Sequence, residues 1–197
     1  KAYLFTDRFS NIHYLMRHGR TGKLKIHWYV LMLRALFGDK EFAELAAKTV
    51  RLTASCGSGL ERDSLLLAQN VIDHAGTEEA RREFMDRIAG SKEFDSEVDV
   101  ELAEKVCRQA IATNPRDAYA HHKFGRLLDV HLKRYPEAEA AYRKATELDS
   151  KFAQPWINLG ILLTGELGRH SEAEAAYRKA MELDPGNDSA WERLGNV

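Results

Sequence analysis

Between residues 98 and 197 the apolar positions fall three and four apart, in blocks that return after 35 residues. Leu159, Leu162 and Leu163 share one helical face, and Ala138, Tyr142 and Ala145 share a face of another helix. Residues 137–145, EAEAAYRKA, recur unchanged as residues 172–180. Trp156, Leu159 and Gly160 return as Trp191, Leu194 and Gly195, and one period upstream stand His121, Phe124 and Gly125. The second half of the block occurs three times: Ala103, Cys107, Ala110 and Pro115, then Ala138, Tyr142, Ala145 and Ser150, then Ala173, Tyr177, Ala180 and Pro185. A fixed period of this length marks a stack of helical hairpins sharing one continuous core. The pattern therefore predicts an all-α superhelix, or solenoid. Small Gly160 and Ala138 are expected to let paired helices approach, with Tyr142 and Trp156 filling the gaps. Glu139 with Arg143, and Glu174 with Arg178, are set to pair at i,i+4 on the solvent side. Asn114-Pro115 and Asp184-Pro185-Gly186-Asn187 separate the helices.

The order W-x-x-L-G, A-x-x-x-Y-x-x-A, L-D-P resembles the tetratricopeptide repeat over about residues 98–197, the last unit being truncated. The period is one residue longer than the usual ~34. The added residue falls between Gly160 and Gly168, where it either lengthens the first helix or loosens its turn. In the preceding unit Lys133 stands where a glycine is expected, which predicts a less regular corner. The resemblance implies that the first helix of each unit lines a concave groove. Its polar residues, His122, Lys123, Arg126, Asn158 and Arg193, with Glu192 among them, are then the candidate partner-binding positions. Co-chaperone members of this family grip a peptide carboxylate with a clamp of Lys, Asn and Arg. Asn158 and Arg193 match that clamp, whereas His122, Arg126 and Ser189 replace its other members.

Residues 1–97 carry a less regular helical pattern. Helices are predicted over 28–37, 41–52, 64–74 and 78–89, broken at Gly38-Asp39 and Gly76. Thr77 is placed to cap the last of them, with Glu79 in its first turn. These segments read as two irregular helical hairpins, divergent units of the same solenoid; residues 65–88 faintly resemble pentatricopeptide repeats. Residues 90–99 form a polar joint. The chain opens at Lys1 and closes within the first helix of a further unit, so a segment of a longer protein is expected.

Net charge is −1, yet residues 1–34 hold seven Lys or Arg against one acid. Arg17, Arg20, Lys23 and Lys25, interleaved with aromatic residues, are candidate contacts for an anionic partner such as RNA or an acidic protein surface. No apolar run approaches the ~20 residues that span a bilayer. Cys56 and Cys107 lack metal-site spacing, and Cys107 occupies a core position, where a buried reduced thiol is expected.

Residues 15–21, LMRHGRT, resemble the R-H-G-x-T signature of the histidine phosphatases, which would make His18 a nucleophile and Arg17 a phosphate ligand. That family needs a sheet, and this chain offers almost no strands. The adjacent pair His121-His122 points about 100° apart on a helix and cannot chelate as an i,i+4 pair would. No cofactor-binding signature appears. The sequence thus predicts a non-catalytic scaffold with protein partners in the groove or along helix ends, in a compartment left open, an intracellular one being favoured. Two other readings stay open: an RNA-binding helical repeat using the basic stretch, and a regulatory module of a longer enzyme.

Overall fold

A computed structural model describes residues 22–55, 61–74, 77–89 and 97–195. The histidine phosphatase-like motif, Arg17, Arg20, Cys56 and most of the polar joint lie outside the described residues. Every regular element described is helical, which agrees with the all-α expectation. The chain divides into two compact units, with the boundary in sequence between Ile88 and Ala89.

The first unit contains α1 (Gly22–Leu36), α2 (Asp39–Ser55), α3 (Glu61–His74) and α4 (Glu78–Ala89). Val30, Leu33, Phe42, Ala46, Val50, Leu67, Val71 and Phe84 form its interior. The α1–α2 corner is tied by Asp39, whose two carboxylate oxygens accept from Arg34 at 2.5 Å and from the Thr77 hydroxyl at 2.9 Å. Thr77 is also the N-cap of α4, accepting from the Ala80 backbone N–H at 3.1 Å. One threonine thus starts α4 and binds it to the beginning of α2. The first three helices begin earlier than their apolar pattern indicates, because their opening turns are polar.

The second unit contains α5 (Glu97–Thr113), α6 (Ala118–Val130), α7 (Tyr135–Leu148), α8 (Ala153–Gly165), α9 (His170–Leu183) and α10 (Asp188–Leu194). Each packs on the next, α6 with α7 and α8 with α9 most extensively, and α6 also touches α8. The result is a solenoid of stacked pairs. One core runs through four helices: Leu128, Ala138, Tyr142, Leu159, Leu162, Leu163, Ala173 and Tyr177. Gly125 packs against the Tyr142 ring and Gly160 against Tyr177, so the repeated spacing of small residue and aromatic closes each helical pair.

The α6–α7 and α8–α9 corners share the same hydrogen bonds. Leu132 N–H reaches Leu127 C=O and Arg134 N–H reaches Leu128 C=O; Leu167 and Arg169 repeat this on Leu162 and Leu163. These closures satisfy the last carbonyls of each first helix. The extra residue therefore leaves the turn tight. The expected irregularity at Lys133 is absent: Lys133 adopts φ 53°, beside φ 62° for Gly168 in the matching corner. A lysine in this left-handed region carries steric strain that glycine lacks. Lys133→Gly is expected to raise stability by about 0.5–1 kcal/mol, read as a higher urea midpoint with unchanged slope.

Corner arginines add a ladder between pairs. Arg134 bridges Glu104 on α5 at 2.7 Å and Glu137 on α7 at 2.5 Å. One period on, Arg169 bridges Glu139 on α7 at 2.9 Å and Glu172 on α9 at 2.6 Å. The predicted pairs Glu139–Arg143 and Glu174–Arg178 form at 2.8 and 2.5 Å. Arg143 also reaches Glu172 at 2.9 Å, so the period-35 charges link neighbouring repeats and not only turns of one helix.

Candidate functional site

The candidate residues sit on α6, α8 and α10, the first helices of successive pairs. Asp117 fixes the start of α6 by accepting from the Tyr119 and Ala120 backbone N–H groups at 3.0 and 3.1 Å. His122 lies in the next turn and reaches α8. There Asn158 meets it: Asn158 Nδ2 lies 2.9 Å from His122 Nε2. The two residues are 36 apart, one period plus one, the offset that joins facing turns of adjacent first helices.

His122 is only 3% exposed. Phe152, in the loop before α8, meets its ring edge-on at 5.1 Å, and Tyr119 and Tyr142 flank it at 6.3 and 6.2 Å. Burial pushes the imidazole pKa down to about 3, with the Lys123 and Arg126 charges acting in the same direction. His122 is therefore neutral at physiological pH. Its Nδ1 is buried with no hydrogen-bond partner among the described residues.

Lys123 is 7% exposed, and its ammonium stands 5.2 Å from the centre of the Tyr119 ring, a cation–π distance. Arg126 and Asn158 are half-buried and Arg193 is exposed. Asn158 Oδ1 accepts from Gln154 Nε2 at 3.3 Å. The arrangement offers hydrogen-bond donors and positive charge over a buried neutral imidazole. Of the N-terminal candidates, Lys23 and Lys25 lie on α1, with side chains outside the described set.

Nearby groups have structural work. His121, at the repeat tryptophan position, places Nε2 3.1 Å from the Pro115 carbonyl; Trp191 donates its indole N–H to the Pro185 carbonyl at the same distance. The histidine thus reproduces the tryptophan's link to the preceding turn. Cys107 is a buried free thiol, and burial pushes its pKa up to about 12. Among the described residues no cluster of His, Cys, Asp or Glu is disposed to hold a metal ion, and no helix is long and apolar enough to cross a membrane.

Sequence register located the row of residues but missed the His122–Asn158 bond, whose signal is the 36-residue offset. It also missed the corner arginines, each placed three residues before a glutamate and recurring with the period.

Residues 99–151 and 132–188 match the tetratricopeptide repeat family. No curated protein matches the chain in sequence. Among solved structures, the crystal structure of MamA aligns with 70% of this chain and 77% of its own, at 17% identity and TM-score 0.53. The tetratricopeptide repeat domain of Arabidopsis OM64 aligns with 58% of this chain and 92% of its own, at 23% identity and TM-score 0.50. Both likenesses concern the fold.

Proposed function

From the premise that residues 99–188 belong to the tetratricopeptide repeat family, whose helical repeats serve as protein-interaction scaffolds, we propose that this chain is a non-catalytic module holding an acidic segment of a protein partner along α6, α8 and α10. Arg126, Asn158 and Arg193 make the direct contacts. Lys123 adds positive potential from beneath, and His122 supports Asn158. The observation that carries this reading is the Asn158–His122 bond, because it joins the first helices of adjacent pairs into one polar row. Side chains held in register by stacked helices lose little conformational entropy on binding.

The occupant follows from the charges. A clamp for one terminal carboxylate needs a cation where neutral His122 lies. Arg126 and Arg193, on different helices, instead favour carboxylates spread along a segment. Arg126 and Arg193 repel a uniformly basic partner from the same face.

The test is fluorescence anisotropy with a fluorescein-labelled glutamate decapeptide. Binding is expected, weakening as salt rises. The Arg126→Ala/Arg193→Ala variant is expected to bind at least about tenfold more weakly, a loss of about 1.4 kcal/mol or more. An unchanged affinity in that variant overturns the groove reading. Salt-sensitive binding to random RNA that survives both substitutions would move the function to the basic stretch around Arg17, Arg20, Lys23 and Lys25.

A further inference from the structure

The buried imidazole does more than fill space. A carboxamide has two N–H donors and one acceptor oxygen. In Asn158 the oxygen faces Gln154 Nε2 at 3.3 Å, and one N–H is directed to His122 Nε2 at 2.9 Å. A neutral imidazole that accepts at Nε2 carries its proton at Nδ1. In His122 that Nδ1 is the atom with no partner among the described residues. The protein leaves a buried N–H unmatched while aiming the ring's single lone pair at Asn158. Native folds seldom leave such a group, and those they keep call for a reason beyond packing.

The ring sits in an aromatic enclosure. Tyr119 on its own helix, Tyr142 on α7 and Phe152 before α8 enclose it, and Lys123 and Arg126 oppose its protonation. The orientation of Asn158 is therefore set from below. Its other N–H has no hydrogen-bond partner among the described residues, on a half-buried side chain.

We propose that His122 is a positioning residue: by accepting from Asn158 it fixes the carboxamide with its second N–H toward the groove, so that the site selects a partner segment offering a carboxylate or backbone carbonyl oxygen at that point. This rests on the groove reading above and specifies what the partner must present there. Between the two cations, Asn158 supplies a directional donor. A charge alone attracts any anion, whereas an oriented N–H rejects a segment that presents a donor at that place.

The experiment combines nitrogen NMR of the uniformly labelled chain with anisotropy of the glutamate decapeptide. At neutral pH the His122 Nδ1 is expected to be protonated and Nε2 not; a proton on Nε2 overturns the inference without touching the arginine contacts. His122→Phe keeps an aromatic ring and removes the acceptor, and is expected to weaken peptide binding about tenfold. His122→Gln returns an acceptor oxygen and is expected to recover most of the loss. Asn158→Asp, which replaces the donor by an oxygen, is expected to weaken binding more than His122→Phe does. Circular dichroism checks that each variant is folded. Peptide binding that falls in Arg126→Ala but is the same in His122→Phe as in the parent overturns this inference alone. No binding by the parent chain overturns the groove reading and this inference with it.

Discussion

Gly160→Ala is expected to destabilise the repeat unit by about 3 kcal/mol, the upper part of the range for overpacking a tight core. A Cβ at this position would lie 2.6 Å from Tyr177 Cε1 and 2.8 Å from two more ring atoms. The obstacle is the body of the ring, not a flexible end. Tyr177 is fully buried between α8 and α9 in the shared core, so it can retreat only by parting the pair. Gly125→Ala meets Tyr142 at 2.7 Å and is expected to behave alike. Gly165→Ala supplies the contrast. Nothing lies within 4 Å of a Cβ there, and its φ is ordinary for a helix, so about 0.5 kcal/mol of stabilisation is expected from the lost backbone freedom of glycine. Urea unfolding followed by circular dichroism separates the two outcomes. Equal midpoints for the Gly160 and Gly165 variants would contradict the packing described.

The second large effect is acid sensitivity above the range where carboxylates titrate. The folded pKa of His122 is about 3, pushed down first by burial and then by Lys123 and Arg126. In the unfolded chain the ordinary value is about 6.5. As pH falls below ~6.5 the unfolded chain takes up a proton that folded His122 refuses. Stability is therefore fully present above that pH and is lost progressively toward pH ~3. Between pH 7.5 and 5 the loss is expected to be about 2 kcal/mol. His131, whose pKa burial also lowers, acts in the same direction. The Asp129 carboxyl, pushed up by burial, acts oppositely. His122→Gln is expected to remove most of the slope between pH 7.5 and 5. A parent chain equally stable at both pH values would show that the imidazole is not held neutral in its aromatic enclosure.

Sequence legibility follows the distance over which each feature is decided. Helix α4 was placed at its observed bounds because its signals are local: Gly76 before it, Thr77 as cap and Glu79 in the first turn. The solenoid was readable because residues 137–145 recur as 172–180 and Trp156, Leu159 and Gly160 as Trp191, Leu194 and Gly195; which aromatic meets which glycine was not, since Gly160 packs on Tyr177 and Gly125 on Tyr142. The corner at Lys133 was misread. Residue preference predicts a less regular corner there, but carbonyls of Leu127 and Leu128 and the Arg134–Glu104 bridge hold the backbone in the geometry its partner corner reaches with glycine. At the candidate site, register gave the positions and not the depths. His122 and Lys123 lie low because Phe152 and Tyr119 close over them, and Phe152 belongs to a loop that no helical pattern reports. The ion-pair ladder was half visible: i,i+4 partners can be counted along one helix, but the Arg169–Glu139 link requires the stack to exist first.

The most direct test of the central claim is an amide and side-chain NMR titration of the chain with the unlabelled glutamate decapeptide. The largest shift changes are expected to cluster on α6, α8 and α10, at Arg126, Asn158 and Arg193, while Arg143 and Arg178 on the second helices stay nearly still. Changes centred on α7 and α9, or spread without focus over every exposed cation, would contradict it.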